Sequence, residues 1–262
     1  MAAWEVPARR DDSGSAYPAR SLTDARDAVA WAIAEFAPDR RVVVTSLQSA
    51  GVVVADLAVA LDPDCRVATI DTGRLPEATL GYLDALRERW GRPVEVWTPH
   101  PTDLEPFLHE NGANPFYASV DLRVQCCYIR KVRPLQRLLA DVDCWMTGLR
   151  RDQSRERAAI DVIELDQQHG GIVKLNPLAG WSAGDVIAYL EERAIPAHPL
   201  YRAGYASIGC DPCTRPVEPG EDPRAGRWWW EEGIAKECGM NGSPLRVLSV
   251  AAEVEPVGGG TR

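Results

Sequence analysis

Arg41-Val-Val-Val-Thr-Ser46 leads into Leu47-Gln-Ser-Ala-Gly51 and then Val52-Val-Val-Ala-Asp-Leu-Ala-Val-Ala-Leu61. The first run is short and β-branched, the pattern of a strand buried on both faces. The last is too long for such a strand and reads as a helix, with a polar turn between the two. Outward from this unit the same alternation continues. Upstream, Leu22, Val29, Ile33 and Phe36 recur at the spacing of one helical face, with Ser21 as the expected N-cap. Downstream come an expected strand over 66–71, a helix opened by Pro76 and running to about Trp90, a strand over 93–97 and a short helix over 102–110. Residues 121–140 are expected to be helical, with Pro134 breaking or kinking them. Strands are expected over 143–148, 160–165 and 172–175, and Ser182 is expected to cap a helix over 185–193. Strands alternating with helices predict an α/β fold: a Rossmann-like parallel sheet with helices on both faces and ligands at the strands' C-terminal ends.

The ends differ in composition. Residues 1–20 read as a flexible N-terminal arm, 21–225 as the nucleotide- and metal-binding domain, and 226–262 as a flexible C-terminal tail. Beyond Ala197 no regular periodicity is expected before Trp228-Trp-Trp230, which reads as packing that anchors the tail. At 262 residues, 45% hydrophobic and 26% charged, the chain is long enough for one large core. A net charge of −9 argues against a nucleic-acid-binding face. The most apolar run, 51–61, is too short to span a bilayer and contains Asp56. Seven cysteines without a signal-peptide pattern point to a reducing, cytoplasmic setting and to metal or redox chemistry. Oligomeric state stays open, a homo-oligomer included.

Three turns leave the same edge of the expected sheet. Ser46, Gln48 and Ser49 lie in the first, Asp71-Thr72-Gly73-Arg74 forms the second, and Thr147-Gly148 the third. Each reads either as a plain connection or, where backbone N–H groups meet a helix start, as part of a phosphate-binding crevice. The arginine run 150, 151, 155 and 157 is either a solvated face or an anion site beside that edge. The cysteines carry a stronger signal. Cys126-Cys127 and Cys210-Asp-Pro-Cys213 supply four thiolates in two pairs, enough for a tetrahedral zinc or an iron–sulfur cluster. Lys131, one helical turn beyond Cys127, is placed to offset their charge. Cys65 and Cys144 read as core, which leaves Cys238, flanked by glycine and polar residues, as a candidate reactive thiol.

Asn114-Pro-Phe, Val124-Gln-Cys-Cys-Tyr-Ile-Arg-Lys131 and Thr147-Gly-Leu-Arg-Arg-Asp-Gln-Ser154 resemble the assimilatory adenylyl-sulfate reductases. So do Ser207-Ile-Gly-Cys210-Asp-Pro-Cys213-Thr-Arg, Arg224-Ala-Gly-Arg227-Trp-Trp-Trp230 and Lys236-Glu-Cys238-Gly239, so the likeness covers about residues 40–240 in order. The resemblance implies the adenine nucleotide alpha-hydrolase-like fold and a [4Fe-4S] cluster on Cys126, Cys127, Cys210 and Cys213. It implies adenosine 5′-phosphosulfate as substrate, Cys238 as nucleophile, and Lys131, Arg157, Arg224 and Arg227 around the sulfate and phosphate. Thioredoxin or a glutaredoxin-like dithiol is the implied reductant. The family's tail ends Glu-Cys-Gly-Leu-His, where this chain has Glu237-Cys238-Gly239-Met240-Asn241.

Three other readings compete with this one. The same chemistry on the 3′-phosphorylated nucleotide differs only in the substrate. An ATP-dependent PP-loop enzyme acting on tRNA needs adjacent glycines that Ser46–Gly51 lacks. A zinc or redox-sensing module leaves Cys238 and the arginine-lined crevice without a role.

Overall fold

The computed structural model describes Leu22 and residues 24–231. The expected arm, Ser21 and the segment bearing Cys238 and Asn241 lie outside the described residues.

Six strands form one sheet in the order β3-β2-β1-β4-β6-β5. They are β1 (Arg41–Val44), β2 (Arg66–Ile70), β3 (Glu95–Trp97), β4 (Cys144–Met146), β5 (Ile163–Asp166) and β6 (Ile172–Leu175). Alternate residues of each strand face opposite layers. Val43, Val67, Met146 and Leu175 pack with helices α1 (Ala25–Glu35), α2 (Ser49–Leu61), α3 (Glu77–Trp90) and α7 (Ala183–Glu192). Val42, Val44, Ala68, Ile70 and Trp145 instead meet Leu135, Leu138 and Leu139 of α6 (Arg133–Leu139). The remaining helices are α4 (Pro101–Asn111), α5 (Val120–Cys127) and the short α8 (Pro199–Arg202). No helix among the described residues is long and apolar enough to cross a membrane.

The expected parallel sheet is present, with one edge strand reversed: β5 runs antiparallel to β6. Only Gln167–Gly171 joins them, a 3₁₀ turn closed by Gly170 and Gly171 at φ 80° and 79°. Parallel neighbours need a crossover of a dozen residues or more, so this link permits only a hairpin. The N-cap of α1 is Asp24, whose Oδ1 accepts from Arg26 N at 2.7 Å and Asp27 N at 3.1 Å. Ser182 caps α7 through a reciprocal bond with Asp185, as its sequence suggests.

Pro134 does not break its helix. Between α5 and α6 the chain makes a π turn over Tyr128–Val132, with Arg133 N donating to Tyr128 O, five residues back. Pro134 then sits in the first turn of α6, where its missing N–H is tolerated. The wider turn falls between Cys127 and Arg133, so it sets the direction of Lys131 relative to the cysteines. Beyond Ala197, expected to lack regular structure, α8 and a 3₁₀ turn over Asp211–Cys213 are present.

Candidate active site

The three turns meet at the C-terminal edge, and their closeness explains their glycines. A Cβ on Gly148 would lie 2.4 Å from Gly51 N, and one on Gly51 2.6 Å from Thr45 Oγ1. A side chain at Gly148 would push the first and third turns apart, and one at Gly51 would crowd Thr45 within the first turn. Leu47 holds φ 60°, unusual for a side chain this size, and Thr45 Oγ1 accepts from its N–H at 3.0 Å. Gln48 Nε2 donates to Ser46 Oγ at 3.2 Å, while Gln48 Oε1 accepts from Ile208 N at 3.1 Å. The N–H of Ser49, first residue of α2, donates to Tyr201 Oη at 3.1 Å. The first turn is thereby latched to the segment that leads into Cys210.

The second turn reaches the same segment. Asp71 Oδ1 accepts from Gly73 N at 2.8 Å, and Gly73 has φ 67°. Thr72 Oγ1 lies 3.2 Å from Cys210 Sγ and accepts from Arg74 N at 3.2 Å. Thr72 O accepts from Arg130 Nη1 at 2.6 Å, and Arg74 O from Asp211 N at 2.8 Å. Arg74 donates through Nη2 to Asn114 Oδ1 at 2.6 Å and stacks on Phe116.

At the third turn Thr147 Oγ1 donates to Asn176 Oδ1 at 2.6 Å and accepts from Leu149 N at 3.3 Å. Asn176, fully buried, also donates to Glu164 Oε2 at 2.8 Å and Asp161 O at 2.9 Å. Gln153 joins the turn to the arginine run. Its Nε2 donates to Gly148 O at 3.3 Å, and its Oε1 accepts from Arg150 N at 3.2 Å and from Arg157 Nη1. Arg150 pairs with Asp152 at 2.9 Å and Arg151 donates to Ile160 O at 2.9 Å, so these two hold the loop. Arg157 and Arg224 converge on Glu156, whose carboxyl sits below its usual range; hydrogen bonds from its own backbone and Ser154 lead, and the two guanidiniums add to them.

All four paired cysteines line one cavity with Arg74, Phe116, Arg123, Arg130, Lys131 and Pro212. Each is buried, in a cluster with Phe107, Ile129 and Trp228. Burial pushes the Cys213 thiol up to about 12, with the neighbouring Cys210 adding and Lys131 opposing. Burial likewise raises Cys126, against Arg130 and Lys131. Arg227 approaches from the tail side. Its Nη1 donates to Ser207 Oγ and Ile208 O, both at 3.2 Å, and a Cβ on Gly209 would lie 2.4 Å from its Nη2. Five buried side-chain N or O atoms lack a partner among the described residues, and three belong to this region: Arg130 Nε, Arg227 Nε and Trp228 Nε1. Buried N–H donors seldom go unpaired, so the region suits an anionic acceptor.

The structure therefore brings together Ser46, Gln48, Ser49, Asp71, Thr72, Gly73, Arg74, Lys131, Gly148 and Arg227 with the four cysteines along one edge. Arg157 joins through Gln153, and Arg224 joins it beside Glu156. Sequence reading missed Tyr201, Arg130, Gln153 and Asn176. Asn176 alone left a signal, as a polar residue directly after the buried end of β6.

The family profile described as phosphoadenosine phosphosulfate reductase domain matches residues 40–216. An adenosine 5′-phosphosulfate reductase of Burkholderia cepacia is 49% identical over 187 residues, 71% of this chain and 74% of the relative. One from Allochromatium vinosum is 42% identical over 203 residues, 78% and 79% of the two chains. Among solved structures, a phosphoadenylyl-sulfate reductase of Candida auris in a phosphate complex aligns with a TM-score of 0.63 at 27% identity, covering 73% of this chain and 90% of that one. The FMN adenylyltransferase of Candida glabrata, at TM-score 0.53 and 13% identity over 86% of this chain and 74% of its own, shares the fold alone. A match over this much of the sequence, on the elements that build the cysteine-lined edge, means that the chain belongs to the phosphoadenosine phosphosulfate reductase family.

Proposed function

We propose that the chain reduces adenosine 5′-phosphosulfate to sulfite and AMP in sulfate assimilation, with Cys238 as nucleophile. The observation that carries this reading is the cavity where four thiols meet Lys131 and Arg130 beside the three turns. Adenosine 5′-phosphosulfate is preferred because the relatives above are named for it.

The four thiols suit a [4Fe-4S] cluster on Cys126, Cys127, Cys210 and Cys213. A single zinc draws its ligands to about 2.3 Å, and no three His, Cys, Asp or Glu among the described residues form such a group. A cluster gives each thiolate its own iron, which fits thiols spread around a cavity wall. The unpaired N–H donors beside them fit the negative charge that such a cluster carries with four thiolates. When bound, the cluster supplies a fixed anionic centre that joins the two cysteine pairs.

The remaining steps use this chain's own residues. The Cys238 thiolate attacks the sulfuryl sulfur; the S–O bond to phosphate breaks and its electron pair leaves with AMP. Arg157 and Arg224 offset charge that gathers on the departing phosphate. Cys238 then carries –SO₃⁻. A thiolate of thioredoxin or a glutaredoxin-like dithiol attacks Cys238 Sγ, sulfite departs with the bonding pair, and the dithiol's second thiol closes its disulfide and frees Cys238. In this reading residues 21–225 form the reductase domain and 226–262 a tail that delivers Cys238, in the cytoplasm. Asn241, where the family has histidine, positions an oxygen through its amide and does not titrate.

The test is anaerobic incubation with adenosine 5′-phosphosulfate and no reductant. The expected product is a chain heavier by one SO₃ group, mapped to Cys238, with one AMP released and about four irons per chain. Faster modification by the 3′-phosphorylated nucleotide reverses the substrate assignment and keeps the chemistry. Absence of a Cys238 adduct with either nucleotide, in iron-replete protein, sinks the reading.

A further inference from the structure

Glu231 is the last described residue, seven positions before Cys238. Its carboxylate accepts two hydrogen bonds from Arg123, at 2.7 Å from Nε and 3.0 Å from Nη2. Both side chains are almost wholly buried, at 4% and 5% exposure. Arg123 belongs to α5, three residues before Cys126. Its guanidinium lies 4.6 Å from the centre of the Trp228 ring, and that of Arg227 lies 5.0 Å from the same ring.

Trp228 itself is held against its preference. Its φ of 41° lies in the left-handed region that residues with a Cβ avoid, so its surroundings must fix it there. Trp228 N donates to Cys213 O at 3.1 Å, and Arg227 bridges Thr214 as a β-pair. The short segment 227–231 is therefore tied at its start to the Cys210–Cys213 turn and at its end to the helix of Cys126 and Cys127.

A buried ion pair is a poor way to gain stability, because an apolar pair of the same volume does as well or better. What a bidentate guanidinium–carboxylate pair adds is direction, two parallel bonds that fix orientation as well as distance. A fully extended chain covers about 3.5 Å per residue, so Cys238 Cα cannot stray more than about 25 Å from Glu231. Where Glu231 is held decides where the nucleophile can go.

We propose that Arg123 and Glu231 are positioning residues: their buried pair fixes the root of the Cys238 segment to the cysteine-bearing helix and so sets the thiolate's line of approach. The proposal rests on the reading of Cys238 as nucleophile given above. It makes the metal centre and the nucleophile parts of one mechanical unit, since one guanidinium serves the helix, the tryptophan and the tail root together.

The experiment uses the full-length, iron-replete chain in single turnover with adenosine 5′-phosphosulfate and no reductant, following the Cys238 adduct by mass. Glu231→Gln keeps the shape and removes the charge. It is expected to slow adduct formation about 10- to 100-fold, with AMP affinity and visible absorbance unchanged. A pair that only stabilises would lower the melting temperature and leave the rate of the folded protein alone, and that result overturns the proposal. If Glu231→Gln does not fold, Glu231→Asp decides, because it keeps the charge and withdraws the carboxylate by one methylene. Its adduct should form about three- to tenfold more slowly, and a wild-type rate there overturns the proposal. Equal adduct rates in wild type and Glu231→Asp sink the pair alone. No adduct in the wild type sinks the reading of Cys238, and this proposal with it.

Discussion

Both edges of the sheet hold arginines and buried cysteines, and the two edges use them differently. At the N-terminal edge three arginines meet carboxylates: Arg40 with Asp143 at 2.5 Å, Arg66 with Glu95 at 2.7 Å, and Arg41 with Asp62. Cys65 and Cys144 at that edge are fully buried in the apolar core. At the C-terminal edge Arg130 and Arg227 donate to backbone carbonyls and a serine hydroxyl, with no carboxylate among their described partners. Depth of burial hardly separates the two sets of thiols. Burial pushes Cys65 up to about 11 and Cys213 up to about 12, so each stays protonated at neutral pH until something displaces the proton. Surroundings separate them: Cys65 and Cys144 sit in the apolar core, whereas the four paired cysteines share a cavity with Arg74, Arg123, Arg130 and Lys131, and of these Arg123 is matched by Glu231. Guanidiniums that meet carbonyls and a hydroxyl, as Arg130 and Arg227 do, keep their charge available to an anion, whereas those paired with carboxylates have it offset within the scaffold.

The largest expected effect tests that contrast directly. Cys126→Ser or Cys213→Ser should abolish bound iron and lower turnover by about three orders of magnitude or more. Cys144→Ala, at the opposite edge, should keep both and lose only about 1–2 kcal/mol of stability. Iron analysis, visible absorbance and denaturant melts read all three, and loss of iron in Cys144→Ala would break the contrast.

Gly148→Ala should act on the C-terminal edge without touching a thiol. The added methyl would meet Gly51 N at 2.4 Å, where no flexible side chain can yield. The expected cost is about 1–3 kcal/mol of stability and at least about tenfold weaker AMP binding, as the first and third turns part. Undiminished binding by calorimetry would show that the two turns move together and that their contact is structural only.

The smallest effect is a matter of pH. His198, at the entry of α8, is lowered to about 4 by burial, with Nε2 3.0 Å from Thr79 Oγ1 and Nδ1 accepting from Leu200 N. An unfolded histidine titrates near 6.5, so between about 6.5 and 4 the unfolded chain binds the extra proton. Stability from this group is complete above that window and drains away as pH falls through it. In His198→Gln the urea midpoint should decline less over the same range, while a parallel decline would assign the acid sensitivity elsewhere.

Much of this architecture could be read from the chain. Every expected strand forms within a few residues of its place, because β-branched runs bounded by polar turns leave little choice. The antiparallel β5 escaped because its direction is set by the length of Gln167–Gly171, not by the pattern of either strand. The turns of the C-terminal edge were legible for a related reason, since glycine and serine after a buried run mark a chain that must reverse in a crowded place. The latches were not legible. Gln48 with Ile208, Ser49 with Tyr201, and Thr147 with Asn176 join residues whose local patterns say nothing about one another. The partners of Arg74 and Arg227 also surprise: Arg74 holds Asn114, and Arg227 holds the loop before Cys210. Charge is visible in sequence, but what it faces is not.

Those latches also fix an order of events during synthesis. The bond between Ser49 and Tyr201 spans 152 residues, that between Gln48 and Ile208 spans 160, and that between Arg123 and Glu231 spans 108. All six strands are complete once Leu175 has been made. A nascent chain emerging N-terminus first can therefore close its sheet while the crevice still lacks its far wall. Until residues 210–213 arrive, Cys126 and Cys127 line only one side of their cavity. The scaffold can close before the crevice does, so the two cysteine pairs can meet after the sheet that carries them has formed.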